Sequence, residues 1–425
     1  MTENSPAARM PEIRVPGLLT LAGLIAGLIL GAVLQGTSVL PPLLEIARPL
    51  GGFWLQALKM TILPLVIGLM FTGIIETAAA AEAGAMARRT LILIVGVLAA
   101  SAVLGGVLMP GLLALFPAPA LSLPPASTTP DADLPGFADF LSSLLPTNVF
   151  TAAADDAMLP VIVFTALFAT AATRLAEEPR RQLALFFEGL AGAMIVVIGW
   201  VLTLAPLGVF ALGLSLAATS GAAAIGALAH YIALVSSLGA IFLLGGYPLA
   251  VWVGRHGLGA FAKAALPAQV VAVSTQSSLA SLPAMLGSCC ELKIAPTTSE
   301  FVLPLAVTLF RATGPAMNMG VTIYAATLAG YELTPMAIAA GVIVAFVTTF
   351  GTVSLPGTIS FIASTGPIAA AMGVPLWPLG ILVAVEMLPD IMRTVGNVTM
   401  DVAVTSAVDA GVSEAEPHEA PQTLH

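Results

Sequence analysis

Apolar residues in this chain come in long blocks, not in the short rhythms of a soluble fold. Blocks long enough to cross a bilayer, for which ~20 residues suffice, recur at 18–34, 91–108, 193–209, 231–253 and 342–361. The polar breaks between blocks predict helical spans over roughly 16–35, 43–77, 88–116, 150–175, 184–217 and 226–254, with "LLPTNVF" at 144–150 as a turn into the fourth. A β-barrel would show short alternating segments instead.

After Gly257 the blocks shorten and are cut by Ser, Thr, Gly and Pro. Two cuts resemble each other: "STQSSLASLP" at 274–283 and "TFGTVSLPGT" at 349–358. Each follows ~15 mostly apolar residues, short for a full crossing, and each contains a Leu-Pro near its end. Paired broken segments of this kind predict two re-entrant hairpins, near 258–292 and 336–374, with a binding site between their tips. Backbone unwound at membrane depth is tolerated only where protein or a water-filled cavity satisfies it. Two kinked full helices are the alternative, because Gly and Pro are common in membrane helices.

Composition fixes the solvent. The chain is 58% hydrophobic and 9% charged, with mean hydropathy +1.01, whereas a soluble domain is near half apolar and about a quarter charged. The fold class is therefore an all-α polytopic membrane protein with the lipid bilayer as its surroundings. The net charge of −9 says little about partners, since part of the acid lies in the tail 409–425, which reads as disordered and cytoplasmic. No basic tract for nucleic acid is present. Cys289 and Cys290 are adjacent in a mostly apolar stretch and read as packing residues, not as a disulfide or metal site. The polar segment 1–15 is followed by no clean cleavage site, so 16–34 reads as a retained first span. Basic residues mark cytoplasmic loops. Arg9 and Arg14, then Arg88 and Arg89, then Arg174, Arg180 and Arg181 put the N-terminus inside and the Pro/Ser/Asp-rich loop 117–143 outside.

One late apolar block carries chemistry. "EMLPDIMRTVGNVTMD" at 386–401 holds four ionisable groups in sixteen residues. At about 100° per residue, Glu386, Asp390, Arg393, Asn397 and Asp401 fall within about 80° on a helical wheel, with Thr394 at the edge of the arc. A charge at the centre of a lipid-facing helix costs ~3 kcal/mol on the lenient scale, so four would cost on the order of 10 kcal/mol. The stripe must face protein or water. Pro389 lacks an N–H and is expected to bend the helix near Asp390. An ion-pair network that only joins helices is one reading. A binding site is the other: a guanidinium forks onto a carboxylate, a carboxylate one turn away takes an ammonium, and Asn397 and Asp401 offer oxygens to a small cation.

At these residues the chain resembles the dicarboxylate/amino acid:cation symporter family, the glutamate-transporter fold. The resemblance covers nearly the whole chain. It includes "LKMTILPLVIGLMFTGI" at 58–74, "LLPTNVF" and "LAPLGVFAL" at 204–212. Its most specific part is the family pattern D-x-x-x-D-x-x-R-T-x-x-N-V-x-x-D, present here with Glu386 first, then Asp390, Arg393, Thr394, Asn397 and Asp401. The resemblance implies about eight transmembrane helices plus two re-entrant hairpins in inverted repeats. It implies that Arg393 holds a substrate carboxylate and Asp390 an amino group, assisted by Thr394 and Asn397. Ser277 and Ser278 stand for the serines of the first hairpin tip, and Pro356 and Gly357 for the gate at the second. Asp401 with Asn397 would hold a sodium ion, and Thr308, Thr349 and Thr352 would support another near the second hairpin.

The departures matter as much. The family's seventh helix carries N-M-D-G-T a few residues after L-P-L. Alignment on Leu303, Pro304 and Leu305 puts Phe310, Arg311, Ala312, Thr313 and Gly314 there, and "NMGVT" at 318–322 also lacks the acid. The ligands of the same ion on the third helix are replaced by Val97 and Ala100, leaving Ser101. Two losses at one site imply that this sodium ion is not bound. Arg311 has three readings: a fixed cation in place of the lost ion, an added substrate-carboxylate ligand with Gln276 where some members carry an arginine, or a snorkelling side chain at a helix end.

Other signals are bland. Asp155 and Asp156 read as acids at a helix N-terminus. Lys59 reads as snorkelling, and His230 as interfacial. The chain shows no nucleophile–base set, metal cluster or phosphate loop, so no enzyme, no cofactor and no metal beyond transported Na+ are expected.

The expectation is a multi-pass secondary symporter of the cell inner membrane. It would carry an acidic amino acid or C4-dicarboxylate, coupled to Na+ and/or H+, with Glu386 a possible proton carrier. A transport-incompetent receptor or a neutral amino acid transporter are the alternatives. The resemblance implies a homotrimer with scaffold helices over 16–77 and 144–217. It implies a transport region over 78–116 and 226–408.

Overall fold

A computed structural model of the chain describes residues 17–81, 84–119, 144–155, 157–221, 223–352 and 357–415. Among them every regular element is helical. The first half supplies α1 (Gly17–Val33), α2 (Leu40–Ala81), α3 (Ala85–Leu115), α4 (Val149–Ala154), α5 (Met158–Ala172), α6 (Glu177–Thr203), α7 (Ala205–Ser220) and α8 (Ala223–Pro248). Among the described residues, five helices are long and apolar enough to cross a membrane: α2, α3, α6, α8 with its continuation to Val253, and Leu258–Thr275.

Two expected single spans are each divided. The span expected at 184–217 ends as α6 and restarts as α7, because Pro206 sits in the first turn of α7. Its ring excludes the carbonyl four residues back, and it brings no N–H to a continuous ladder. The span expected at 150–175 divides into α4, N-capped by the Asn148 side chain, and α5. Asp155 lies at the C-cap of α4, not at a helix N-terminus; Asp156 lies outside the described residues. A similar effect ends α8, where Pro248 is followed by a π-helical turn at Leu249–Val253.

The second half reverses direction twice. Helix α9 (Leu258–Thr275) turns back as α10 (Leu282–Glu291), and α13 (Pro335–Thr352) turns back as α14 (Gly357–Ala371). The two arms of each pair pack on each other. Each hairpin is followed by a broken helix: α11 (Pro296–Leu309) and α12 (Gly314–Leu328), then α15 (Trp377–Leu382) and α16 (Met387–Ala415). Hairpin then broken helix thus occurs twice.

Packing sorts the helices into two groups. Helices α1, α2, α5, α6 and α7 pack among themselves, and α3 and α8 pack with α9–α16. Helices α2 and α5 meet the second hairpin. Small residues let backbones close up where no hydrophobic drive exists between helices in lipid. On α1, a Cβ at Gly23, Gly27 or Gly31 would fall 2.4, 2.3 and 2.6 Å from the carbonyl oxygens of Pro206, Phe210 and Leu214 on α7. Large apolar side chains such as Ile25, Ile29, Phe186 and Trp200 are exposed on the first group. Helix α16, by contrast, is buried without interruption from Arg393 to Val408.

Three smaller expectations change. Helix α16 runs to Ala415, so residues 409–415 are helical; the Asp409 carboxylate accepts from the Ala295 N–H at 3.3 Å. Cys289 is buried as expected, but Cys290 is exposed. His230 lies within α8, where its Nδ1 is 3.0 Å from the Tyr324 hydroxyl. That hydroxyl donates to the Ala227 carbonyl, so the imidazole supplies the proton between the two rings.

Candidate functional site

The charged stripe begins at a break, not in the middle of a helix. Residues 383–386 form turns after α15, and the Glu386 carbonyl accepts from the Asp390 N–H at 2.9 Å. Pro389 therefore falls in the first turn of α16, where a missing N–H costs nothing. The bend expected at Asp390 is instead this break ahead of Pro389. Glu386 sits at the entry of α16, and Asp390, Arg393, Asn397 and Asp401 lie along it.

The Arg393 guanidinium is buried and held from three sides. Its Nη2 pairs with Glu386 Oε1 at 2.5 Å, its Nε with Asp390 Oδ1 at 3.1 Å, and its Nη1 donates to Asn318 Oδ1 at 2.9 Å. The other Glu386 oxygen, Oε2, accepts from the Tyr231 hydroxyl at 2.8 Å. A buried pair holds only when the remaining donors and lone pairs are also met, and Tyr231 and Asn318 meet them. Thr394 turns its hydroxyl back to the Asp390 carbonyl at 2.9 Å.

Facing this stripe is the second break, at 310–313. Gly314–Pro315 explains it: Pro315 starts α12, and its ring excludes a helical carbonyl at Arg311. The opened segment is tied from several elements. Thr313 donates to Asn397 Oδ1 through both its N–H (3.0 Å) and its hydroxyl (2.9 Å), the latter shared with the Arg393 carbonyl at 3.2 Å. Ser101 of α3 accepts from the Ala316 N–H at 3.1 Å. Approach is close enough that a Cβ at Gly396 would fall 2.5 Å from Thr313 Cγ2. Arg311 is half-buried in the break, and its Nη1 donates to Ser360 Oγ of the second hairpin at 3.3 Å. It lies between the end of α11 at Leu309 and the start of α12 at Gly314.

At the tip of the first hairpin, Gln276 takes a left-handed backbone with φ of 50°. Ser277 and Ser278 are half-buried beside it. The Ser277 hydroxyl accepts from the Ala280 N–H at 3.2 Å and so shapes the turn. Gln269 fixes the first arm to the core, donating to Thr399 Oγ1 at 3.0 Å and Tyr247 Oη at 3.2 Å. At the second hairpin, Thr349 is buried and donates to the Ala345 carbonyl at 2.7 Å. Pro356 and the side chain of Thr352 lie outside the described residues; Gly357 begins α14.

The expected cation ligands differ in exposure and in what they bind. Asp401 is fully buried and neither carboxylate oxygen has a hydrogen-bond partner. Asn397, one turn earlier, has its amide oxygen engaged by Thr313. Thr308 is exposed and donates to its own helix, at the Pro304 carbonyl, 2.7 Å away.

Tyr231, Asn318, Thr313 and Ser360 were not expected at the site. The Gly-Pro at 314–315 was a signal for the break that frees the Thr313 N–H for Asn397. The other three come from distant parts of the chain and show no local pattern.

A family model described as the sodium:dicarboxylate symporter family matches residues 17–410. The chain is 27% identical over 387 residues to the proton/sodium-glutamate symport protein of Bacillus subtilis (strain 168), covering 89% of this chain and 88% of that protein. It is 27% identical over 398 residues to the proton/glutamate-aspartate symporter of Escherichia coli (strain K12), with 89% and 88% covered. It is 26% identical over 369 residues to the C4-dicarboxylate transport protein of Anaeromyxobacter sp. (strain K), with 84% and 83% covered.

Proposed function

The chain belongs to the sodium:dicarboxylate symporter family, a family of transporters and not of enzymes, and from that premise we propose that it carries an acidic amino acid or C4-dicarboxylate across the cell inner membrane. The observation that carries this reading is Arg393, a buried guanidinium on a helix inside a membrane protein, held by two acids at a helix break. A buried arginine with movable carboxylate partners accepts a substrate carboxylate by exchange. The substrate displaces Glu386 from Nη2, and Asp390 stays to receive an ammonium where the substrate has one.

Exchange leaves Glu386 buried without its cation. An isolated carboxylate in such a setting takes up a proton in preference to remaining charged. Substrate binding and proton uptake are therefore coupled through one residue, and Tyr231 stays within reach of the acid. Sodium coupling near Thr349 and Thr352 is the complementary route. Movement follows the packing: α3 and α8–α16 travel as a unit past α1, α2 and α5–α7, with Pro356 and Gly357 acting in the gate. The exposed apolar faces of the first group suit both lipid and a homotrimer interface.

The test is uptake into proteoliposomes, with labelled aspartate and labelled succinate each driven by a sodium gradient or a proton gradient. Accumulation of one acid under either gradient is expected. Failure of both acids under both gradients would sink the proposal.

A further inference from the structure

Asp401 presents an unsolved charge. It is fully buried in the middle of α16, and both carboxylate oxygens lack hydrogen-bond partners. Burial of an unmatched carboxylate costs several kcal/mol or more, so a positive charge or a proton must answer it. A small hard cation needs about six oxygens, and two side-chain oxygens within a turn of Asp401 on α16 are already engaged elsewhere. The Asn397 amide oxygen has two lone pairs, and both are taken by Thr313. The Thr405 hydroxyl donates to the Asp401 carbonyl, 2.7 Å away, not to its carboxylate.

A positive charge lies nearby on the chain itself. Arg311 projects from the 310–313 break, two residues from the Thr313 that clasps Asn397. Phe310 and Ala312, on either side of it, share an apolar cluster with Met400 and Val404 of α16, which border Asp401. Contact is not needed, since attraction in a low-dielectric interior falls only as the inverse of distance. Counting formal charges, three acids (Glu386, Asp390, Asp401) face two guanidiniums (Arg393, Arg311), which leaves a single negative charge. Without Arg311 that excess doubles.

We propose that the Arg311 guanidinium is a tethered counter-cation for Asp401, so that this position takes no transported cation. Arg311 acts on substrate only through the charged helix, as a positioning residue. The inference rests on the symporter reading for its meaning in transport, but its first test does not.

That test is the melting temperature of the purified full chain in sodium chloride against choline chloride, without substrate. In Arg311→Met the Asp401 carboxylate loses its partner and recruits sodium. The sodium-induced rise is expected to exceed that of the wild type by ~2–4 °C, and Arg311→Lys is expected to behave as the wild type does. Equal sodium responses in wild type and Arg311→Met would overturn the proposal, since a protonated Asp401 needs no cation of either kind. If Arg311→Met does not fold, the double variant Arg311→Met/Asp401→Asn decides. With both charges gone it is expected to fold, and a double variant as unstable as the single one would overturn the pairing. In proteoliposomes, Arg311→Met is expected to raise the ratio of aspartate uptake in sodium to that in choline at least about tenfold over wild type. Loss of aspartate and succinate binding at every sodium concentration, in a variant that still melts cooperatively, would make Arg311 a substrate ligand instead. Wild-type protein that carries neither acid would defeat the symporter reading while leaving the melting comparison standing.

Discussion

In the proposed exchange Glu386 is the residue on which proton coupling turns, because among the described residues it alone hydrogen-bonds both Arg393 and Tyr231. Glu386→Gln keeps the shape and removes the exchangeable charge. Aspartate uptake by this variant is expected to lose its response to an imposed pH gradient, while exchange of internal for external aspartate persists; a retained pH response would show that the proton travels elsewhere. Tyr231→Phe tests the support of the same acid. It leaves a buried carboxylate one donor short, a loss of about 1–3 kcal/mol, visible as a lower melting temperature in detergent. Arg393→Lys exchanges a planar fork for a point charge. It is expected to reduce acid uptake at least about tenfold, the factor set by ~1.4 kcal/mol. Much of this site was legible in the chain, because Asp390, Arg393, Asn397 and Asp401 share one helical face and spacing alone reveals a face. Tyr231 and Asn318 were not, because they lie 155 and 75 residues from their partners and only folding brings them there.

Helices α7 and α12 each restart at a proline that follows a small residue, Ala205 and Gly314, whereas Pro367 after Gly366 stays inside α14, so such a pair alone does not separate a break from an ordinary helix. The hairpins were readable because Ser, Thr, Gly and Pro interrupt their apolar runs. The 310–313 break was hidden because Phe301–Leu328 is apolar on both sides, and one Gly-Pro among such residues resembles the ordinary glycine and proline of a membrane helix. The same ambiguity concealed the division at Pro206. Close packing of α1 on α7 offers a test at this scale. Gly27→Ala places a methyl 2.3 Å from the Phe210 carbonyl oxygen, backbone that does not yield as a side chain end does. The two helices must separate. A melting temperature lowered by several degrees is expected, since packing losses of ~1–3 kcal/mol follow from such overfilling; an unchanged value would mean α1 shifts freely.

Across the whole molecule the two helix groups meet where α2 and α5 border the second hairpin. A Cβ at Gly366 of α14 would lie 2.8 Å from Ile62 Cδ1 of α2, so the two positions suit a cross-link. With the exposed Cys290 first changed to serine, Ile62→Cys/Gly366→Cys is expected to lose uptake on oxidation and recover it on reduction, with substrate binding in detergent retained throughout. Uptake that survives the bond would show that the hairpin does not slide along α2. The arginine built into the 310–313 break has a wider consequence. A tethered charge has the same local concentration in fresh water and in brine, so its position never empties. It also contributes nothing to uphill work. One univalent cation crossing a potential of ~100 mV supplies ~2.3 kcal/mol, roughly fifty-fold in a concentration ratio. A carrier with one such ion replaced by its own side chain is indifferent to external salt at that position, and it reaches a correspondingly lower ceiling of accumulation.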